Sequence, residues 1–183
     1  SPDRAAQSGL TKVGEAATCN IDVSCRPDSS SESRSVARMI FVENGSAFVC
    51  TGTLLNDAQS SSTPYFLSAN HCVSTQAAAS TVTTDWFYRS ATCNTNEVNA
   101  GTQRLYGGAT LLYAEAATDT AFMRLNAAPP AGIVYAGSYF GAVVEGAGAL
   151  SIHHPQGDLQ KVNESTVRQF DNCTFEGCQV STP

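Results

Sequence analysis

The chain has 183 residues, of which 14% are charged, and its formal net charge at pH 7 is −6. This length allows one sizeable domain or two small ones. Ten Lys and Arg residues spread along an acidic chain do not form the clustered basic face that a duplex-binding protein needs. No apolar run approaches the roughly 18 residues of a membrane helix. The composition therefore indicates a soluble, β-rich protein and argues against nucleic acid or a membrane as partner.

Seven cysteines are many for a chain of this length, and they decide the expected compartment. No two have the Cys-x-x-Cys spacing of zinc ribbons and dithiol redox enzymes. Disulfides formed in an oxidising environment explain the number better, so the sequence predicts a secreted protein. An odd count leaves one thiol without an internal partner, and that partner is expected on another chain or on a missing segment. The cysteines stand at positions 19, 25, 50, 72, 93, 173 and 178.

The first predicted elements in chain order are a polar surface loop over residues 28–33 and a β-hairpin. Two apolar, β-branched runs at 36–42 and 47–55 flank Asn44-Gly45, and both turn residues tolerate positive φ. This is the strongest short hairpin signal in the chain. A polar loop follows, and then a strand at 65–69 that ends two residues before His71.

Short strands are also predicted along the rest of the chain, separated by Gly- and Ser-rich turns. The prolines at 129–130 indicate a linker, since paired prolines favour an extended segment outside a sheet ladder. Two sets of short strands across a linker predict two antiparallel barrels. Residues 1–128 would hold an N-terminal extension and the first barrel, and residues 129–183 the first part of the second. The predicted elements are strands at 81–88, 102–106, 109–113, 121–125, 132–139, 149–153 and 162–170, and a helical turn at 74–79.

Cys50 and Cys72 bracket the strand that leads to His71. If their strands are neighbours, a disulfide would clamp the peptide that carries His71, and a loop of this size stabilises by about 3 kcal/mol in the chain-entropy model. A general base needs such immobility, because proton transfer requires heavy atoms about 2.6–3.2 Å apart. A histidine beside a buried cystine is, however, more often a packing residue. Spacing alone leaves both roles open.

Two motifs resemble the first-barrel signature of chymotrypsin-like serine proteases. Residues 50–55 (CTGTLL) resemble the family's C-x-G-[ST]-L strand, and residues 66–72 (FLSANHC) resemble the A-x-H-C strand end that bears its catalytic histidine. The chain is most similar to the bacterial lysyl endopeptidase branch, through CNIDVSC at 19–25 and SIHHP at 151–155. Asn70 replaces the more usual Ala or His, at a position that needs only a small or polar side chain.

The resemblance implies an all-β, chymotrypsin-like double antiparallel barrel, with the second barrel incomplete in this chain. It also implies a secreted bacterial serine endopeptidase that acts on proteins or peptides, with His71 as general base. Residues 118–125 (TDTAFMRL) resemble the family segment D-x-[AT]-L-[LM]-x-L, so Asp119 would accept a hydrogen bond from Nδ1–H of His71. Taken alone, Asp119 would be a turn-capping aspartate at a strand start. Cleavage after Lys or another basic residue follows from the resemblance only.

The nucleophile of such an enzyme is not recognisable in this sequence. The family supplies the serine and its oxyanion-binding N–H groups from one G-x-S-G segment, and no serine here has that setting. The final residues QVSTP resemble the segment that leads into the nucleophile loop. The serine is therefore expected on a missing segment or on a second chain.

The disulfide pattern of the family bears on the odd cysteine count. It implies that Cys19 bonds a cysteine located after the nucleophile. The expected partner is a C-terminal second chain, or the missing segment, linked through Cys19. The family pattern also implies Cys25–Cys93 and Cys50–Cys72, which leaves Cys173 and Cys178 to pair with each other.

The same residues allow other interpretations. The adjacent His153 and His154 do not predict a metal site, because neighbouring strand residues point to opposite faces. They are expected to be structural, near the rim of the second barrel, and no metal or cofactor is expected. An inactive homologue that serves as a binding or adhesion module stays possible, although retention of both His71 and Asp119 argues against it. A cystine-stabilised structural β protein would require the motif match to be accidental.

Overall fold

A computed structural model describes residues 16–17, 20–174 and 177–180, with side chains described as far as residue 170. The named strands in this part of the chain pair only antiparallel. Among the helices described there, none has the length and apolarity to cross a bilayer. The helices are α1 (Ser30–Ser33) and α2 (Gln76–Ala79), and the strands are β1 (Ile21–Asp22), β2 (Val36–Glu43), β3 (Ser46–Leu55), β4 (Tyr65–Ser68), β5 (Thr83–Trp86), β6 (Gln103–Leu105), β7 (Ala109–Glu115), β8 (Thr120–Leu125), β9 (Gly148–His153), β10 (Lys161–Thr166), β11 (Asp171–Thr174) and β12 (Gly177–Val180).

The main sheet has seven strands in the order β6-β5-β2-β3-β4-β8-β7. At its centre is the predicted hairpin, in which Glu43 pairs with Ser46 across a two-residue loop. Asn44 and Gly45 have φ of 50° and 80°, so both adopt the left-handed conformation that a tight hairpin loop requires. The edge strands β6 and β7 do not pair with each other, so the sheet is not closed within the described residues. The prediction of an all-β, antiparallel fold is confirmed.

The hydrophobic core lies against one face of this sheet. Its packing explains why the CTGTLL motif contains a glycine. Leu54, Phe66 and Trp86 are buried, and the rings of Phe66 and Trp86 meet edge to face at 6.2 Å between centroids. A Cβ at Gly52 would lie 2.2 Å from Cε1 of Phe66. Since Phe66 is completely buried and cannot move aside, position 52 tolerates no side chain.

A second sheet has the order β1-β10-β9, and β11 pairs with β12. The N-terminal strand β1 thus pairs with β10, far along the chain, through the register Ile21 opposite Val162. The domain boundary predicted between residues 128 and 129 falls in the connection between β8 and β9 and stays a prediction.

Two predicted elements are wrong. The segment 132–139 forms no strand; Ala136 alone bridges β3, donating its N–H to the carbonyl of Leu54 at 2.8 Å. The positive φ of 87° at Gly132 turns the backbone there and interrupts any ladder. The segment 28–33 lies mostly at the surface, as predicted, but it is helical and not a loop. Ser33 is buried, and its hydroxyl donates to the carbonyl of Ser30 at 3.0 Å.

The two sheets meet at a buried polar junction. Arg38 of β2 and Asp85 of β5 are completely buried, and two nitrogens of Arg38 donate to Oδ2 of Asp85 at 2.9 and 2.6 Å. Arg104 of β6 also binds this carboxylate, at 2.6 and 2.8 Å. A third nitrogen of Arg38 donates to the carbonyl of Gly157 at 3.0 Å. The arginine therefore ties the main sheet to the turn that connects β9 and β10.

His154 belongs to this junction. It is buried, its N–H donates to Oγ1 of Thr51 at 2.9 Å, and its ring lies 5.9 Å from that of Tyr88. Nδ1 faces the carbonyl oxygen of Asp158 at 3.0 Å and so carries the ring hydrogen. His154 is structural, as predicted, but it packs on the main sheet.

Candidate active site

His71 is presented by a tight turn at the end of β4. The N–H groups of Cys72 and Val73 both donate to the carbonyl of Ala69 at 3.1 Å, which reverses the chain immediately after the strand. Cys72 points inward with 4% exposure and forms a disulfide with Cys50 of β3. The side chain of His71 points outward and is 71% exposed. The cystine therefore anchors the turn while the imidazole remains accessible.

A hydroxyl bond that sequence reasoning missed reinforces this anchor. Oγ of Ser68 donates to the carbonyl of Thr51 at 2.8 Å, next to the disulfide of Cys50. The bond joins the last residue of β4 to β3 independently of the cystine. The serine of FLSANHC is the only sequence signal, because the acceptor is a backbone carbonyl, and only a known strand register shows that the two meet.

Asp119 approaches His71 from the neighbouring strand β8. It ends the loop between β7 and β8, and β8 pairs with β4 so that Ala121 lies opposite Ser68. Asp119 has a φ of 47°, a left-handed conformation that aspartate tolerates better than most residues. Its carbonyl accepts the N–H of Asn70 at 3.1 Å. The loop after β4 and the loop before β8 are therefore hydrogen-bonded to each other at the point where the two strands end.

The structure brings His71 and Asp119 into direct contact. Nδ1 of His71 lies 2.7 Å from Oδ2 of Asp119, and the backbone N–H of His71 donates to Oδ1 at 2.9 Å. Both carboxylate oxygens are therefore occupied by one residue. The backbone N–H, followed by the ring, holds the pKa of Asp119 below its usual value. Sequence reasoning anticipated the ring contact but not the backbone bond.

This geometry determines what the imidazole can do. An ionised carboxylate only accepts hydrogen bonds, so Nδ1 carries a hydrogen and Nε2 keeps its lone pair. In the described part of the chain, no side chain forms a hydrogen bond with Nε2. The arrangement is that of an oriented general base whose reactive nitrogen faces solvent.

The same corner contains the ligand types of a metal site. A ring nitrogen of His71 and the sulfurs of Cys50 and Cys72 all lie within 4.8 Å of one another. The two sulfurs are bonded to each other, so neither is a thiolate able to bind a metal ion while the disulfide is intact.

The predicted disulfides are partly confirmed. Cys25–Cys93 and Cys50–Cys72 are both formed. The backbone register pairs position 173 of β11 with position 178 of β12, and the Cys173–Cys178 bond stays a prediction. Cys19 lies outside the described residues.

A family model and a similar protein both carry the name lysyl endopeptidase. A family model for the C-terminal domain of lysyl endopeptidase matches residues 13–182. Lysyl endopeptidase of Pseudomonas aeruginosa is 35% identical over 173 residues, which make up 90% of this chain and 37% of the length of that protein.

Solved structures with a similar arrangement are the protease Anisep from Arthrobacter nicotinovorans and the thermostable serine protease AL20 from an extremophilic microorganism. The first is 20% identical with a TM-score of 0.44, covering 73% of this chain and 64% of that one. The second is 14% identical with a TM-score of 0.48, covering 80% and 70%. Because the family model matches residues 13–182, the chain belongs to the lysyl endopeptidase C-terminal domain family.

Proposed function

We propose that this chain is the part of a secreted serine endopeptidase that carries the general base and its orienting acid. The observation that carries the proposal is the contact of His71 with Asp119 through both the ring and the backbone N–H. A turn-capping aspartate needs only backbone donors. The carboxylate of Asp119 also fixes the tautomer of an exposed imidazole, as a catalytic base requires.

In the proposed mechanism, Nε2 of His71 removes the proton from a serine hydroxyl as the oxygen attacks a peptide carbonyl. Asp119 stabilises the imidazolium that forms. The imidazolium then gives its proton to the leaving amine, and an acyl-enzyme remains. Water, activated by the same nitrogen, hydrolyses the acyl-enzyme and regenerates the serine.

The serine is proposed to lie outside this sequence, on a missing segment or on a second chain linked through Cys19. Two observations support this. No serine of the sequence stands in a G-x-S-G setting. Within the residues whose side chains are described, none donates to Nε2 of His71, which stays open to solvent.

Family membership supports proteins or peptides as substrates and cleavage after Lys or another basic residue. The Pseudomonas aeruginosa relative is named lysyl endopeptidase. An acid that selects a cationic side chain would lie with the nucleophile. Secretion is proposed from the two formed disulfides, which persist in oxidising compartments.

The test is to label the purified protein with a fluorophosphonate, which reacts with an activated serine, and to measure intact mass with and without reductant. We expect a labelled segment or chain in addition to these 183 residues, no label after His71→Ala, and normal labelling of the control His153→Ala. A single 19.2 kDa species that takes no label would contradict the proposal. Peptides that differ only in Lys or Arg before the cleaved bond then define specificity.

A further inference from the structure

Thr51 of β3 connects the strand that leads to His71 with the second sheet. Its carbonyl oxygen accepts the hydroxyl of Ser68 at 2.8 Å, three positions before His71. Its hydroxyl oxygen accepts the backbone N–H of His154 at 2.9 Å, immediately after β9. We propose that Thr51 is a positioning residue that fixes the turn carrying His71 relative to the second sheet. The inference rests on the proposed function, since it concerns the placement of the proposed base.

The carbonyl of Thr51 extends the contact between β3 and β4 beyond their paired residues. The ladder between these strands ends where Thr53 lies opposite Leu67. Ser68 is the last residue of β4, and its hydroxyl reaches the carbonyl of Thr51. The turn that presents His71 begins with the next residue. The hydrogen bond therefore restrains β4 at the point where this turn starts.

A covalent connection leads from β3 to the far side of the same turn. Thr51 follows Cys50, which forms a disulfide with Cys72, the residue after His71. The hydroxyl of Ser68 and the disulfide therefore hold the turn before and after His71. Because both contacts are made by neighbouring residues of β3, a displacement of Thr51 moves the imidazole with it.

The hydroxyl of Thr51 holds the turn that connects β9 and β10. These two strands pair as far as His153 opposite Lys161, so the N–H of His154 lies beyond the ladder. His154 is buried, and its N–H donates to the hydroxyl of Thr51. A buried N–H that loses its acceptor is costly. The threonine hydroxyl therefore determines where this turn lies on the main sheet.

Arg38 holds the other end of the same turn. It lies opposite Thr51 on β2, so the two side chains share one face of the main sheet. Its guanidinium donates to the carbonyl of Gly157 at 3.0 Å, and the N–H of Gly157 bonds the carbonyl of His154 at 3.0 Å. Two cross-strand neighbours thus bind the two ends of the turn 154–157. Two attachments fix its orientation as well as its position.

This link is what a divided active site requires. In the proposed enzyme, the base lies in the predicted first barrel and the serine belongs with the predicted second barrel, of which β9 and β10 would be part. Proton transfer needs the two groups within about 2.6–3.2 Å, and a misplacement of about 1 Å can cost about 100-fold in rate. Since Thr51 bonds both the β4 end and the β9–β10 turn, it sets how His71 stands relative to that barrel.

The tautomer of His71 tests this role without a nucleophile. The full chain is labelled with ¹⁵N-histidine, and the ring-nitrogen shifts of the neutral imidazole show which nitrogen carries the hydrogen. We expect only the Nδ1–H form in the unmodified chain, because Asp119 lies 2.7 Å from that nitrogen. Asp119 precedes β8, which does not pair with β3, so displacement of Thr51 should separate the ring from its carboxylate.

Thr51→Val and Ser68→Ala should each give a mixture of the two tautomers, because each removes one of the two hydrogen bonds. Thr51→Ser and Ser68→Thr keep a hydroxyl and should restore the single form. Circular dichroism first confirms that each variant folds. Thr51→Ala, which removes the same hydroxyl with less bulk, replaces Thr51→Val if the valine disturbs packing.

Thr53→Val is the matched control. Thr53 lies two residues further along β3 on the same face, and within the described part of the chain its hydroxyl forms no hydrogen bond. It should keep the Nδ1–H form. If the variants of Thr51 kept it as well, or if only Ser68→Ala lost it, the hydroxyl of Thr51 would not link the turn to the second sheet, and the proposal would be wrong.

The outcome is separable from that of the proposed protease activity. If the unmodified protein took no fluorophosphonate label, the tautomer would still decide the role of Thr51. In a protein that does label, Thr51→Val should react more slowly by about tenfold or more, whereas Thr53→Val should react at the unmodified rate. Equal rates in these two variants would overturn the positioning role, while the labelling itself would continue to support a serine endopeptidase.

Discussion

The backbone of Gly52 lies directly under the ring of Phe66, close enough that a Cβ at position 52 would stand 2.2 Å from Cε1. Phe66 belongs to β4, the strand that leads to His71, and it has no exposed surface. The glycine of the CTGTLL motif therefore sets how closely β3 and β4 approach, and so fixes the strand that presents the candidate base.

Gly52→Ala should destabilise the chain by about 1–3 kcal/mol or more, because overpacking a closed core forces side chains and backbone to shift. Urea unfolding followed by circular dichroism measures the loss. Gly137→Ala is the control, since a Cβ there meets no atom within 4 Å, and it should change stability by less than about 0.5 kcal/mol. Equal stabilities of the two variants would show that Phe66 does not require the glycine.

A second prediction concerns the ion pairs of the junction. Asp85 accepts hydrogen bonds from both Arg38 and Arg104, and its side chain is completely buried. Asp85→Asn leaves two guanidinium groups with a neutral partner, so the free energy of unfolding should fall by about 3–5 kcal/mol. In the solvent-screened pair of Arg26 with Asp28, Asp28→Asn should cost far less than Asp85→Asn. Similar losses in both variants would contradict this difference.

The junction also shows where prediction from sequence stops. Asn44-Gly45 and its flanking apolar runs specify a hairpin locally, and the hairpin is present. Arg38 lies inside one of those runs, but its burial depends on Asp85, 47 positions later, which no local pattern reveals. The helix at 30–33 is not predictable from apolar periodicity either, because it is one turn of polar residues, three of them exposed.

For the site, the motifs placed His71 and Asp119 in the correct local settings, and the structure puts them in contact. The contact itself depends on the pairing of β4 with β8. Because Ser68 lies opposite Ala121, the loop after β4 meets the loop before β8. The backbone N–H of His71 that bonds Asp119 leaves no trace in sequence, since every residue except proline has one.

A third prediction follows from that backbone bond. It is the largest cause of the lowered pKa of Asp119, ahead of the ring of His71. His71→Ala removes the ring but keeps an N–H at position 71, so the pKa of Asp119 should rise only part of the way to its usual value. Carboxyl NMR titration measures it, with Asp57 as internal control because its lowered pKa depends on Ser61. If the pKa of Asp119 returned completely to its usual value in His71→Ala, the backbone N–H would not be the main cause of the lowered pKa.

The sign of the associated stability is fixed by linkage. The folded pKa of Asp119 lies below its unfolded value. Its stabilising contribution is therefore fully present above the unfolded pKa and is lost as pH falls through the folded one. Asp119→Asn should therefore remove this loss of unfolding free energy at acidic pH, whereas His71→Ala should retain part of the loss.

His154 gives the last prediction, a loss of stability in mild acid. Burial lowers its pKa from 6.5 to about 4, and Nε2 has no hydrogen-bond partner among the described residues. The unfolded chain binds a proton below about pH 6.5 while the folded chain stays neutral, so stability should fall as pH drops from 6.5 toward 4.

The maximum loss from this one group is on the order of 3 kcal/mol. Carboxylates also titrate near the lower limit, so the measurement compares variants at pH 7 and pH 5. His154→Gln cannot gain a charge and should lose less stability across that interval than the unmodified chain, whereas the control His153→Gln should differ less because His153 is only half-buried. An unchanged pH dependence in His154→Gln would mean that the junction accommodates the imidazolium and that His154 is not the source of the acid-induced loss of stability.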